Sequence, residues 1–215
     1  MRLVWLGSVD SGASLAYLER LFESDERDGV AQPAVGAVAY HDDARADAII
    51  ERRALDTSLD EDSRQQALFW AGSARGESGC RLLDRILDSE KDPDVRAHAI
   101  FALTQCGTPA AIERIKKAGV EDRSPDVRGQ ALFWLAESDA PGAGEWILSR
   151  MDAERSEDVR EQAVFALSQL DDGTDWLLQV LRSKRDPDLI RRALFWLGQS
   201  EDPRALEELQ RILER

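Results

Sequence analysis

The sequence predicts an all-α fold, an α/α solenoid of about six helix pairs with half-repeats at both ends. Three observations carry this expectation. A five-residue apolar motif recurs in register: "ALFWA" from Ala67, "AIFAL" from Ala99, "ALFWL" from Ala131, "AVFAL" from Ala163 and "ALFWL" from Ala193, spaced 32, 32, 32 and 30 residues. Flanking charges keep the same step, with Asp62, Asp94, Asp126 and Asp158 accompanied by Arg64, Arg96, Arg128 and Arg160. Each repeat also reads as two amphipathic stretches divided by turn residues. Such a pair cannot bury both of its apolar faces alone, so successive pairs must stack.

The elements follow in order. The opening "RLVWLGS" aligns with "ALFWLGQ" near the far end, Trp5 over Trp196, and reads as a half-repeat at 1–8. A first unit at 12–41 sets "SLAYLERLF" before a degenerate "VAQPAVGAVA", with Ala34 placed in register. Further units occupy approximately 43–73, 76–106, 108–138, 141–170 and 173–200, and a terminal helix spans 203–215. The segment "SPDVRGQALFWLAES" shows the logic of the second helices. Ser124 or Asp126 is a capping candidate and Pro125 sits early, where its missing N–H is harmless. Val127, Ala131, Trp134 and Leu135 then share one helical face. First helices are clearest in "PRALEELQRILER", where Leu206, Leu209, Ile212 and Leu213 form one stripe. Residues 1–215 thus read as one solenoid domain. Because the chain opens inside a helix, with Leu3, Val4, Trp5 and Leu6 poorly covered, the expectation is a fragment of a longer repeat protein or end-to-end self-association.

The runs "DPDVRAHAIFAL", "SPDVRGQALFWL" and "SEDVREQAVFAL" resemble the HEAT repeat, in its short bacterial variety related to phycobilin-lyase-like repeats. The resemblance implies an ARM/HEAT-type right-handed superhelix. It also implies a ladder of Asp-x-Arg pairs between neighbouring repeats, carried here by Asp62/Arg64, Asp94/Arg96, Asp126/Arg128 and Asp158/Arg160. The last repeat departs from the pattern, since Asp188 is followed by Leu189 and Ile190 before Arg191.

Two columns run through the motifs. Trp5, Trp70, Trp134 and Trp196 alternate with Ala37, Ala102 and Ala166, large beside small, which keeps neighbouring helices evenly spaced. Beside them stand Phe69, Phe101, Phe133, Phe165 and Phe195, where HEAT-like sequences usually carry a polar residue. At about 100° per residue, Phe133 points about 240° from Val127, away from the core face. These rings form either a concave stripe open to a partner or a row packed sideways on itself, and the two readings are compatible. Next to them run Gln66, His98, Gln130, Gln162 and Arg192, which are either solvated positions or hydrogen-bonding groups for an extended peptide.

Composition narrows function mainly by exclusion. The net charge of −14 argues against a nucleic-acid backbone or an anionic membrane as partner. No apolar run approaches membrane-spanning length and no signal peptide is evident, so membrane insertion is not expected and a cytoplasmic location is. Cys80 and Cys106 read as reduced, small core residues. The isolated His41 and His98 cannot supply the His-Glu pairs of HEAT-type di-iron hydroxylases, and no nucleophile elbow or phosphate loop appears. No cofactor is expected. The sequence therefore points to a non-catalytic interaction scaffold that holds a protein or extended peptide along the Phe column. The alternative is a phycobilin-lyase-like, tetrapyrrole-handling protein.

Overall fold

The computed structural model describes residues 9–23, 31–183, 186–200 and 202–213. The half-repeat expected at 1–8 lies outside them, and so does Trp5 of the Trp column. The described residues form thirteen helices and no strand. These are α1 (Ser11–Glu23), α2 (Ala31–Ala39), α3 (Ala44–Leu55), α4 (Glu61–Ala74), α5 (Gly76–Ser89), α6 (Pro93–Thr104) and α7 (Pro109–Glu121). They continue as α8 (Pro125–Glu137), α9 (Ala143–Ala153), α10 (Glu157–Ser168), α11 (Gly173–Arg182), α12 (Pro187–Gln199) and α13 (Pro203–Leu213). They fall into two compact units, residues 1–106 with α1–α6 and residues 107–215 with α7–α13.

Helix starts are written locally. Asp60 accepts a hydrogen bond from the Ser63 amide, Asp92 from Asp94, Thr108 from Ala111 and Ser156 from Val159, each satisfying a donor that the first turn leaves free. Pro93, Pro109, Pro125 and Pro187 stand at the first helical positions. Ser124 precedes α8 without a side-chain cap bond.

The apolar five-residue runs are explained by how the second helices pack. In the first unit α2 lies on α4 and α4 on α6, while each also packs on the first helix of its own pair. In the second unit α8 lies on α10 and α10 on α12 in the same way. A helix with neighbours on several sides needs more than one apolar stripe. Accordingly the first, second and fifth motif residues are buried, as with Ala131, Leu132 and Leu135 or Ala163, Val164 and Leu167, except that Leu194 of the last motif is half-buried. The phenylalanines at the third place and the tryptophans at the fourth are not, as with half-buried Phe133 and Trp134, whereas Ala102 and Ala166 at the fourth place are buried.

Three details differ from expectation. The first is the register of α2. Its buried residues are Ala34, Val35, Gly36, Val38 and Ala39, with Ala37 exposed. This pattern matches α6 when Val35, rather than Ala34, is laid on Ala99, which brings the spacing to Ala67 to 32 residues. Ala37 then joins the Phe column and Val38 the Trp column. Trp70 rests against Gly36, where a Cβ would lie 2.7 Å from the ring.

The second is the ladder. Arg64, Arg128 and Arg160 pair not with an aspartate of the Asp-x-Arg motif but with a carboxylate 26 residues ahead. Arg64 meets Glu90 at 2.5 Å, Arg128 meets Glu154 at 2.9 Å and Arg160 meets Asp186 at 3.5 Å. Asp62, Asp94, Asp126 and Asp158 instead occupy first helical turns and are exposed, where a negative charge complements the amide dipoles. The arginines also donate to carbonyls just ahead of their helices, Arg64 to Ala54 in the last turn of α3, Arg96 to Glu90 and Lys91, and Arg128 to Asp122 in the preceding connections.

The third concerns the cysteines. Cys80 and Cys106 are joined by a disulfide with a Cα–Cα distance of 6.1 Å, and both are half-buried, so they are not reduced core thiols. Helices α5 and α6 form an antiparallel pair, which brings the start of one beside the end of the other.

Candidate functional site

The third position of each motif lies off the core face, and there the structure places the phenylalanines. Phe69, Phe101, Phe133 and Phe165 are half-buried and Phe195 is 54% exposed. Successive second helices bring them together in pairs. In the first unit Phe69 and Phe101 stack with ring centroids 6.1 Å apart and planes 16° from parallel. In the second, Phe133 and Phe165 stack at 5.6 Å and 2°. Phe195 does not continue the stack, because Phe165 meets Trp196 instead, at 4.9 Å.

The fourth-position tryptophans belong to the same surface. They make T-shaped contacts with the phenylalanines, Phe69–Trp70 at 5.2 Å and 71°, Phe133–Trp134 at 4.9 Å and 69°, and Phe195–Trp196 at 5.1 Å and 80°. Tyr40, 74% exposed, adds an edge contact to Trp70 at 5.6 Å. Stacked and edge-on arrangements both suit aromatic quadrupoles. Each row thus packs on itself and leaves ring area open to solvent, as both sequence readings together allow. The tryptophans were assigned to packing alone; their adjacency to Phe in the motif was the signal that they share the surface.

The polar row is less uniform. Gln66 is half-buried, and its side-chain oxygen is a buried acceptor without a hydrogen-bond partner. His98 is half-buried, and burial pushes its imidazole below the ordinary value, against the opposing pull of the Asp94 carbonyl and of nearby carboxylates. Gln130 is exposed. Gln162 lays its amide over Gly129, where a Cβ would stand 1.5 Å from the amide oxygen. Arg192 is exposed and forms an ion pair with Glu161.

Beside the second row, a cleft of about 370 Å³ opens at the ends of α10 and α12, lined by Ser168, Gln169, Thr174, Trp196, Gln199 and Ser200 among others. One wall is therefore an indole of the aromatic surface, and the remainder mixes hydroxyls and amides with Leu170, Leu177 and the carboxylates of Asp171 and Asp202. No helix among the described residues is long and apolar enough to cross a membrane.

The fold and surface define a class first: a protein of repeated helix pairs with aromatic rows on its second helices. The repeat type follows from comparison. Residues 95–118 and 189–215 match the PBS lyase HEAT-like repeat, so the chain carries HEAT-like repeats in those two segments. Among solved structures, the complex of CpcE and CpcF of phycocyanin lyase from Nostoc sp. PCC7120 is similar, with 17% identity, 92% of this chain and 79% of that chain covered, and a TM-score of 0.45. No curated protein matches the sequence.

The repeat match corrects one expectation. Missing nucleophiles, metal ligands and acid–base pairs point to a chain without catalytic activity, yet two of its segments match the PBS lyase HEAT-like repeat. Those motifs are the wrong test for a surface that binds and orients a reactive ligand, which accelerates reaction through placement and needs none of them.

Proposed function

We propose that this chain is a lyase-related protein that holds a linear tetrapyrrole against its aromatic rows and presents it to a protein partner. The observation that carries this reading is the PBS lyase HEAT-like repeat at 95–118, which contains Phe101, and at 189–215, which contains Phe195 and Trp196. The surface chemistry fits the ligand. A flat conjugated chromophore offers π faces to half-buried rings already held in place by their neighbours, so little ordering is needed on binding. Pyrrole N–H groups are donors, and the unpartnered Gln66 oxygen in one unit and the hydroxyl-lined cleft beside Trp196 in the other are acceptors for them. The chemical step then belongs to the chromophore and to a thiol of the partner, with this chain supplying position.

A protein or extended peptide docking on the same rows is the second reading, favoured by the exposed Gln130 next to half-buried Phe133. Incubation with a linear tetrapyrrole and a cysteine-bearing acceptor tests the first. The expected result is a shifted visible band on mixing with this chain, followed by covalent pigment on the acceptor in denaturing gels. An unchanged spectrum and pigment-free acceptor would leave the docking reading in its place.

A further inference from the structure

Among the helix pairs of both units, α5 and α6 alone carry cysteines, and these are bonded. Cys80 stands in the second turn of α5, and Cys106 follows the last residue of α6 by two positions. One repeat further on, 32 residues ahead of each, stand Ile112 and Ser138, which cannot be joined. The bond is therefore not a requirement of the repeat, whose packing is complete without it. Both cysteines are half-buried rather than sealed in the core. Partly exposed disulfides are the labile kind, whereas structural ones are shielded.

The bond closes on a sensitive element. Helix α6 ends with the Thr104 hydroxyl donating to the Phe101 carbonyl, the Gln105 amide to Ala102 and the Cys106 amide to Leu103. Gly107 follows with φ of 60°, a left-handed conformation that stops the helix. Phe101, whose ring stacks on Phe69, therefore sits in the turn that this terminus holds together. A covalent tie from Cys106 back to α5 restrains that turn; without it the terminus relies on a few hydrogen bonds next to solvent and frays more readily.

We propose that Cys80 and Cys106 are a redox-operated latch that orders the end of α6 and, with it, the Phe69–Phe101 ring pair. Closing proceeds by exchange. One cysteine thiolate attacks a low-molecular-weight disulfide such as oxidised glutathione, forming a mixed disulfide and releasing one thiol. The second thiolate displaces the other thiol, so the pair loses two protons and two electrons while the external disulfide is reduced to two thiols. An excess of reduced thiol runs the sequence backward. That the latch tunes ligand capture on this ring pair rests on the function proposed above; the latch itself does not.

The test equilibrates the full chain with oxidised glutathione or with dithiothreitol. It then counts thiols by Ellman's reagent, follows thermal unfolding, and measures amide exchange across residues 97–106. The oxidised chain should show no free thiol, should melt roughly 5–10 °C above the reduced chain, and should exchange at least tenfold more slowly at 103–106. Reduction should reverse all three, and C80S/C106S should behave as the reduced chain in both buffers. Two free thiols persisting in oxidised glutathione, or identical melting and exchange in both states, would overturn the latch. Bilin absorbance is read separately, so a chain that binds no tetrapyrrole leaves the latch result intact.

Discussion

Arg128 on α8 grips Glu154, the residue that ends α9, through two parallel bonds of 2.9 and 3.0 Å. The same carboxylate accepts the amides of Arg155 and Ser156 at 2.8 Å, while Arg128 also donates to the Asp122 carbonyl. One side chain therefore fastens the connection before its own helix to the connection before the next. Both side chains are only about one-seventh exposed, at 15% and 14%, so the attraction is little screened by solvent. Removing one partner strands the other. Arg128→Ala should cost about 2–4 kcal/mol, measured by urea unfolding. Arg128→Lys should recover only part of this, because an ammonium cannot make the paired bonds.

The same contact sets a pH dependence. Its hydrogen bonds to Arg128 hold the Glu154 carboxyl below its ordinary value, outweighing the burial that pushes the other way. A carboxylate whose folded value is depressed contributes stability above its unfolded value, near pH 4.3, and that contribution is lost as pH falls through the lower folded value. Melting temperature should therefore fall on acidification below about pH 4.3. Glu154→Gln should start lower and flatten that segment of the curve. A variant whose acid profile parallels the wild type would remove Glu154 from this role.

Two glycines separate a required notch from an idle one. Gly144 at the start of α9 receives the Trp176 ring, and a Cβ there would lie 2.3 Å from it. Gly119 in α7 faces Ala131, Leu132 and Trp146, all at an ordinary 3.5 Å. Gly144→Ala should destabilise by about 1–3 kcal/mol through overpacking. Gly119→Ala should stabilise by about 0.5–1 kcal/mol, since it lowers the freedom of the unfolded chain at no steric cost. Chemical denaturation of the two single variants gives both signs.

The phenylalanine rows separate in the same way. Phe133→Ala removes a ring held between Phe165 and Trp134 and should cost about 1.5–3 kcal/mol. Phe195→Ala removes a ring that is 54% exposed and should change stability by less than about 0.5 kcal/mol. Equal losses at both sites would mean that the row is buried throughout.

How much of this was legible depended on period. The 32-residue step placed the second helices from α4 onward and the Phe column, because large residues mark those positions. It failed at α2, where Ala34, Gly36 and Ala37 are too small to fix a register and no arginine marks the start. It also assigned the arginines to neighbouring aspartates, since nothing in a linear pattern says that α9 ends beside Arg128. The disulfide was missed for a related reason: residues 26 apart meet only once α5 and α6 are known to lie antiparallel. Within the site, spacing found the phenylalanines, but the tryptophan contacts that brace them emerged only from ring geometry.

On the proposed function, the half-buried aromatic rows form a bed for a linear tetrapyrrole. Trp134 and Trp196 report on it directly, because Trp134 touches Phe133, and Trp196 touches both Phe165 and Phe195. The decisive measurement is tryptophan fluorescence during titration with the tetrapyrrole, for the wild type and for Phe101→Glu/Phe133→Glu. That double variant restores the polar residues such repeats usually carry, and circular dichroism verifies that it stays folded. The account predicts saturable quenching together with a shifted visible band in the wild type, and loss of both in the folded variant. Linear, unsaturable quenching that is the same in both proteins would contradict it.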